Sequence, residues 1–118
     1  MEFDPDSWPA CWILSMLART GNAEEFYHSP LWRRVRATVM RNQHGECWAC
    51  KRKRPPVLIT AASGATMTVH HRNELRQRPD LALSEYAPDG SINLVVLCES
   101  CHWDAHHRRR EERIPERW

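Results

Sequence analysis

Residues 93–106 read Asn93-Leu94-Val95-Val96-Leu97-Cys98-Glu99-Ser100-Cys101-His102-Trp103-Asp104-Ala105-His106. Leu94 to Leu97 form an apolar run with β-branched residues at its centre, which reads as a buried strand. Cys98-x-x-Cys101 follows that strand and opens a helix predicted from about Glu99 to Arg113, ended by Pro115. His102 comes directly after Cys101, and His106 lies four residues further on. Both therefore project from one helix face, about one turn apart. A cysteine pair that fixes where the helix begins also fixes where two imidazoles point.

A second pair, Cys47-Trp48-Ala49-Cys50, lies upstream. Two residues between cysteines let both thiolates face one ion. Four thiolates at ~2.3 Å make a closed tetrahedral site, the pattern of structural zinc. Disulfides and reduced core cysteines are the other readings, and a reducing compartment disfavours the first. Four sulfurs leave no open coordination position, so any chemistry must come from other residues. The fifth cysteine, Cys11, sits in an apolar helical stretch and is expected as a small core residue.

Outward from these knuckles, residues 8–19 read as an apolar helix with Ser7 and Pro9 at its start and Gly21 as its stop. Asn22 to Glu25 resembles a capping box before a short second helix. Ser29-Pro30 starts a third, with Leu31, Val35 and Val39 on one face and Arg33, Arg34, Arg36 and Arg41 mostly on the rest. Val57–Thr60 and Met67–His71 read as short strands, and residues 72–91 as a long polar connection. The order predicts an α+β fold, a small zinc-stabilised core with additional N-terminal helices.

Length and charge bound the rest. The chain has 118 residues, ordinary globular composition, and no apolar run of the ~20 residues a membrane span needs. It opens with Glu2, Asp4 and Asp6 rather than a basic n-region, so a cytoplasmic setting is expected. The net charge of +2 conceals a split. Residues 1–31 carry one base and five acids; residues 32–54 carry eight bases and one acid; residues 55–118 carry eight bases and nine acids. The central block (Arg33, Arg36 and Arg41, then Lys51, Arg52, Lys53 and Arg54) matches phosphate backbones, or equally a solvated helix face and loop.

Taken together, Val69-His70-His71, Asn93 to His102, and His106 resemble the HNH endonuclease motif in its four-cysteine, zinc-binding form. Phe26 to Arg36 resembles the segment before the first knuckle in small phage-type members. The resemblance implies a ββα-metal core, with residues 26–113 as the endonuclease domain, 1–25 as a helical extension and 114–118 as a tail. It implies that His71 is the general base and that Asn93 ties the loop holding it. His70 and His102, with His106 as in the colicin-nuclease branch, would bind a catalytic divalent ion, Mg²⁺, Mn²⁺, Ni²⁺ or Zn²⁺. Histidine at position 70, where many members carry Asp, lowers the negative charge of the site and favours the softer ions. The implied activity is DNA cleavage to 5′-phosphate and 3′-hydroxyl ends, with a phage terminase as a partner. The alternative is a zinc-stabilised nucleic-acid-binding module that does not cleave. A protein contact through Trp8, Trp12 and the first helix is compatible with either, and a dimer is neither required nor excluded.

Overall fold

The computed structural model describes residues 3–112, with the side chains of 108–112 outside that description. The expected tail 114–118 and the stop at Pro115 lie outside the described residues.

Helix α1 spans Ala10–Thr20, and Gly21 closes it at φ 80, its N–H donating to Leu17 O. Only glycine enters this left-handed conformation without a steric cost. The start differs from expectation. Pro9 is the N-cap, and no side chain caps the helix. The helix buries Ala10, Ile13 and Met16, and Cys11 is exposed. Spacings of three place those residues on one stripe, and Cys11 falls outside it, so it is not a core residue.

Helix α2 (Glu24–Tyr27) is a single turn led by Asn22, whose Oδ1 accepts from Glu24 N. It carries Phe26, fully buried. Helix α3 (Pro30–Asn42) begins as expected: Ser29 Oγ accepts from Trp32 N, with proline in the first turn. It buries Trp32 and Val39.

Strands β1 (Met67–His71) and β2 (Leu94–Cys98) pair antiparallel, with Met67 opposite Cys98 and His71 opposite Leu94. The expected strand at Val57–Thr60 does not form. It contributes one isolated bridge, Glu46 to Thr60, and two bonds to the first knuckle, Cys47 N to Ile59 O and Val57 N to Cys50 O. Pro55 and Pro56 precede it without N–H donors, and the sheet edge it would need is occupied. That edge of β2 is covered instead by Trp48 N donating to Val96 O and by the Gln43 amide, which accepts from Val96 N and donates to Leu94 O. One side chain thereby satisfies two backbone groups that a third strand would otherwise pair. Helix α4 (Glu99–Glu112) continues directly from β2.

The long connection between the strands is tied by Asn93, which is completely buried. Its Oδ1 accepts from Asn73 N (3.1 Å) and Asn73 Nδ2 (2.9 Å). Its Nδ2 donates to Leu81 O and Ser84 O, both at 2.9 Å. Every donor and acceptor of the amide is used, so its loss orphans several buried groups at ~1–3 kcal/mol each. Asn93→Ala is expected to lower unfolding free energy by roughly 3 kcal/mol or more in urea titration. A loss below ~1 kcal/mol would contradict this role.

Candidate active site and metal centres

Two clusters of ligand-type side chains stand out among the described residues. The first is Cys47, Cys50, Cys98 and Cys101, all buried, with sulfurs within 4.8 Å of one another. Cys50 Sγ lies 3.8 Å from Cys98 Sγ and 3.6 Å from Cys101 Sγ. Sulfurs at ~2.3 Å around a tetrahedral ion sit ~3.8 Å apart, so the spacing matches a zinc site. The thiol chemistry fits as well. Burial pushes Cys47 up, but N–H groups of Cys98 and Cys50 outweigh it and hold the thiol at about 7. Burial pushes Cys50 and Cys101 above the ordinary thiol value. Four buried sulfurs therefore cannot all ionise unaided, and a dication is the partner that would allow it.

The second cluster is His70, His102 and His106, whose ligand nitrogens also lie within 4.8 Å of one another. His70 arrives from β1, and the other two from adjacent turns of α4. Their ring centroids are 5.3, 5.2 and 4.5 Å apart, and Nε2 of His102 and Nε2 of His106 are separated by 2.9 Å. Nitrogens at ~2.1 Å on adjacent octahedral positions would be ~3.0 Å apart. Burial, and then the charge of His106, holds His102 below the ordinary imidazole value, so it presents a lone pair at neutral pH. Three imidazoles on one ion leave positions open for substrate oxygen and water, which four cysteines do not.

His71 points away from this trio into an aromatic nest. It stacks on Trp32 at 4.9 Å and 26°, with Phe26 and Tyr27 further out. Its Nε2 lies 2.9 Å from Ala82 O. A carbonyl only accepts, so Nε2 carries the hydrogen and Nδ1 is left as the basic nitrogen. Ala82 follows Leu81, whose carbonyl Asn93 holds. The polar network thus fixes the loop that fixes the imidazole. Burial holds His71 below the ordinary value, partly offset by the Ala82 bond.

All four histidines line one cleft of about 510 Å³, whose far wall is formed by Leu17, Ala23, Tyr27 and Trp32. Arg36, Glu74 and Arg76 line it too. Arg36 Nη2 donates to Met67 O, and Arg76 Nη2 to Gly21 O, tying the far wall to β1 and its following loop. Helix α1 is therefore part of the cleft through Leu17.

A solved structure is similar to this arrangement: the crystal structure of the deep-sea thermophilic bacteriophage GVE2 HNH endonuclease with manganese ion. It is 27% identical, with a TM-score of 0.58 over 82% of this chain and 94% of that one. This chain has the HNH endonuclease fold. No family model matches the sequence, and no curated protein matches it significantly.

Within the HNH fold, the basic residues singled out from the sequence do not form one patch of equivalent groups. Arg36 lines the cleft, while Arg33 and Arg41 are exposed elsewhere on α3. Lys51 pairs with Glu46 at 2.7 Å, and Arg52 lies over the Trp48 ring. Lys53 and Arg54 are exposed, and the Cys101 and Cys50 sulfurs raise the Lys53 ammonium above its usual value. Sequence reasoning missed Tyr27, Glu74 and Arg76 as cleft residues. Arg76 carries no signal in its polar surroundings, whereas Tyr27 is one residue from Phe26 in the segment that carried the resemblance. No helix among the described residues is long and apolar enough to cross a membrane.

Proposed function

We propose that this chain is a metal-dependent DNA endonuclease that hydrolyses phosphodiester bonds with a histidine-activated water. The observation that carries the reading is the trio His70, His102 and His106, gathered on the cleft that His71 also lines. In this proposal the trio holds the catalytic divalent ion, and Cys47, Cys50, Cys98 and Cys101 hold structural zinc. The chemistry such an ion supplies is Lewis-acid neutralisation of charge developing on the scissile phosphate and its leaving oxygen.

His71 acts through its unprotonated Nδ1, which takes a proton from water as the water attacks phosphorus. The Ala82 carbonyl keeps the proton on Nε2, and Trp32 keeps the ring from turning. Asn93 acts through the loop and touches no substrate. Arg33, Arg36, Arg41 and Lys51 to Arg54 follow the backbone, contacts that position DNA without reading its sequence. Manganese in the similar phage enzyme supports a divalent ion here. The terminase partner implied by the resemblance rests on no described surface and forms no part of the proposal.

Supercoiled plasmid incubated with the zinc-loaded protein is expected to become relaxed or linear when Mn²⁺, Ni²⁺, Mg²⁺ or additional Zn²⁺ is supplied, and to stay intact when none is. Intact plasmid with every ion, from protein that still binds DNA, would leave the non-cleaving binding module as the correct reading.

A further inference from the structure

Among Leu17, Ala23, Tyr27 and Trp32, the residues of the far wall of the cleft, Tyr27 alone carries a hydroxyl. Its ring is fixed by three others. Phe26 lies at 5.1 Å and 76°, Trp32 at 5.7 Å and 83°, and His71 at 6.1 Å and 72°. Steep ring contacts of this kind favour one orientation, and the fully buried Phe26 anchors it. Tyr27 is 44% exposed and lines the cleft. Its hydroxyl has no hydrogen-bond partner among the described residues. Burial nevertheless holds the phenol above its ordinary value. A hydroxyl reaching past the rim into water would not feel that, so the O–H end lies within the cleft and keeps its hydrogen at neutral pH.

The neighbours of that hydroxyl decide what it binds. His70, His71, His102 and His106 line the same cleft, and Arg36 and Arg76 add positive charge to it. Such a cleft draws an anion. A phosphodiester brings two non-bridging oxygens, and both gain charge as water attacks phosphorus. The histidine trio, in the reading above, serves one of them; the other needs a donor already in place. His71 cannot be that donor, because its Nε2 hydrogen is committed to Ala82 O and its Nδ1 must accept from water. Tyr27 is in ring contact with the base, belongs to a different wall from the trio, and has a hydrogen to give. We propose that Tyr27 is a catalytic residue whose hydroxyl donates a hydrogen bond to a non-bridging oxygen of the scissile phosphate. This rests on the reading of the chain as a DNA endonuclease. It gives a role to a side chain that neither the histidine motif nor the basic block included.

The test compares wild type, Tyr27→Phe and Tyr27→Leu, all zinc-loaded. Three quantities are measured: single-turnover plasmid cleavage with the divalent ion that serves the wild type best, duplex affinity by fluorescence anisotropy without that ion, and melting temperature. Tyr27→Phe keeps the ring with its contacts and removes one oxygen. Loss of a hydrogen bond to a charged oxygen is expected to slow its cleavage ~10- to 100-fold. Its melting temperature should match the wild type, and its duplex affinity should fall far less than its rate, because the bond strengthens as charge develops. Tyr27→Leu, which also removes the ring contacts, should be at least as slow. Wild-type cleavage by Tyr27→Phe would overturn the proposal, whatever Tyr27→Leu does, since the wall would then act only as an apolar surface. A loss of affinity as large as the loss of rate would overturn it too, by making Tyr27 a grip on DNA rather than on the reacting phosphate. Both results leave the endonuclease reading in place, because the wild type still cuts. A wild type that cuts with none of the ions would instead remove both.

Discussion

His71→Ala is expected to cut plasmid DNA at least ~100-fold more slowly than the wild type, with Mn²⁺ binding retained. General-base contributions run from ~10² to ~10⁴, and the lower end is the safer expectation because water can partly replace a missing base. The separation between rate and metal affinity is what gives this variant its force. His70, His102 and His106 form their own cluster, and His71 faces Trp32 and the Ala82 carbonyl instead. Removing the buried ring deletes one hydrogen bond and an aromatic stack, a cost of ~1–3 kcal/mol that a protein of ordinary stability survives. Calorimetric titration with Mn²⁺ should therefore give the same affinity for variant and wild type, while single-turnover cleavage differs. An equal loss of both would place His71 among the ligands. An unchanged rate would place the base elsewhere.

Cys98→Ser is expected to abolish zinc binding and cooperative folding together. Cys98 ends β2 and faces Cys50, which belongs to a separate stretch of chain. The sulfurs join the first knuckle to the strand and helix that carry His102 and His106. Among the described residues the sheet has only two strands, and a hairpin of that size does not hold itself together in water. Structural zinc supplies ~10–16 kcal/mol in small domains, at or above the ~5–15 kcal/mol net stability of a typical fold. The metal term is thus large enough to decide whether the domain folds. Far-UV circular dichroism and metal analysis of the variant test it, together with chelation and zinc re-addition for the wild type. A metal-free protein that melts cooperatively near the wild-type temperature would contradict the staple.

The parts of this architecture that were legible in the sequence share one property: the signal is local in spacing. Two Cys-x-x-Cys pairs, an i, i+4 histidine pair and a Ser-Pro helix start each carry their geometry with them. The β1–β2 pair and α4 follow from those anchors. What was not legible depends on which distant group returns to a given place. Val57–Thr60 has strand composition, yet Gln43 and Trp48 had already taken the edge of β2. Cys11 sits in an apolar helix, but the phase of that helix turns it outward. The resemblance implied that Asn93 ties the loop holding His71, but nothing in the polar connection 72–91 marked Leu81, Ala82 and Ser84 as the residues that close over them. The contact between Arg72 and Trp48 joins residues with no sequence relation at all.

The most direct test of the account is a crystal of the zinc-loaded protein soaked in Mn²⁺, with anomalous scattering recorded at the zinc and manganese edges. The expected map places zinc among Cys47, Cys50, Cys98 and Cys101, and manganese on nitrogens of His70, His102 and His106, open to the cleft that His71 lines. Manganese bound elsewhere, or a histidine trio left empty at saturating Mn²⁺, would contradict it.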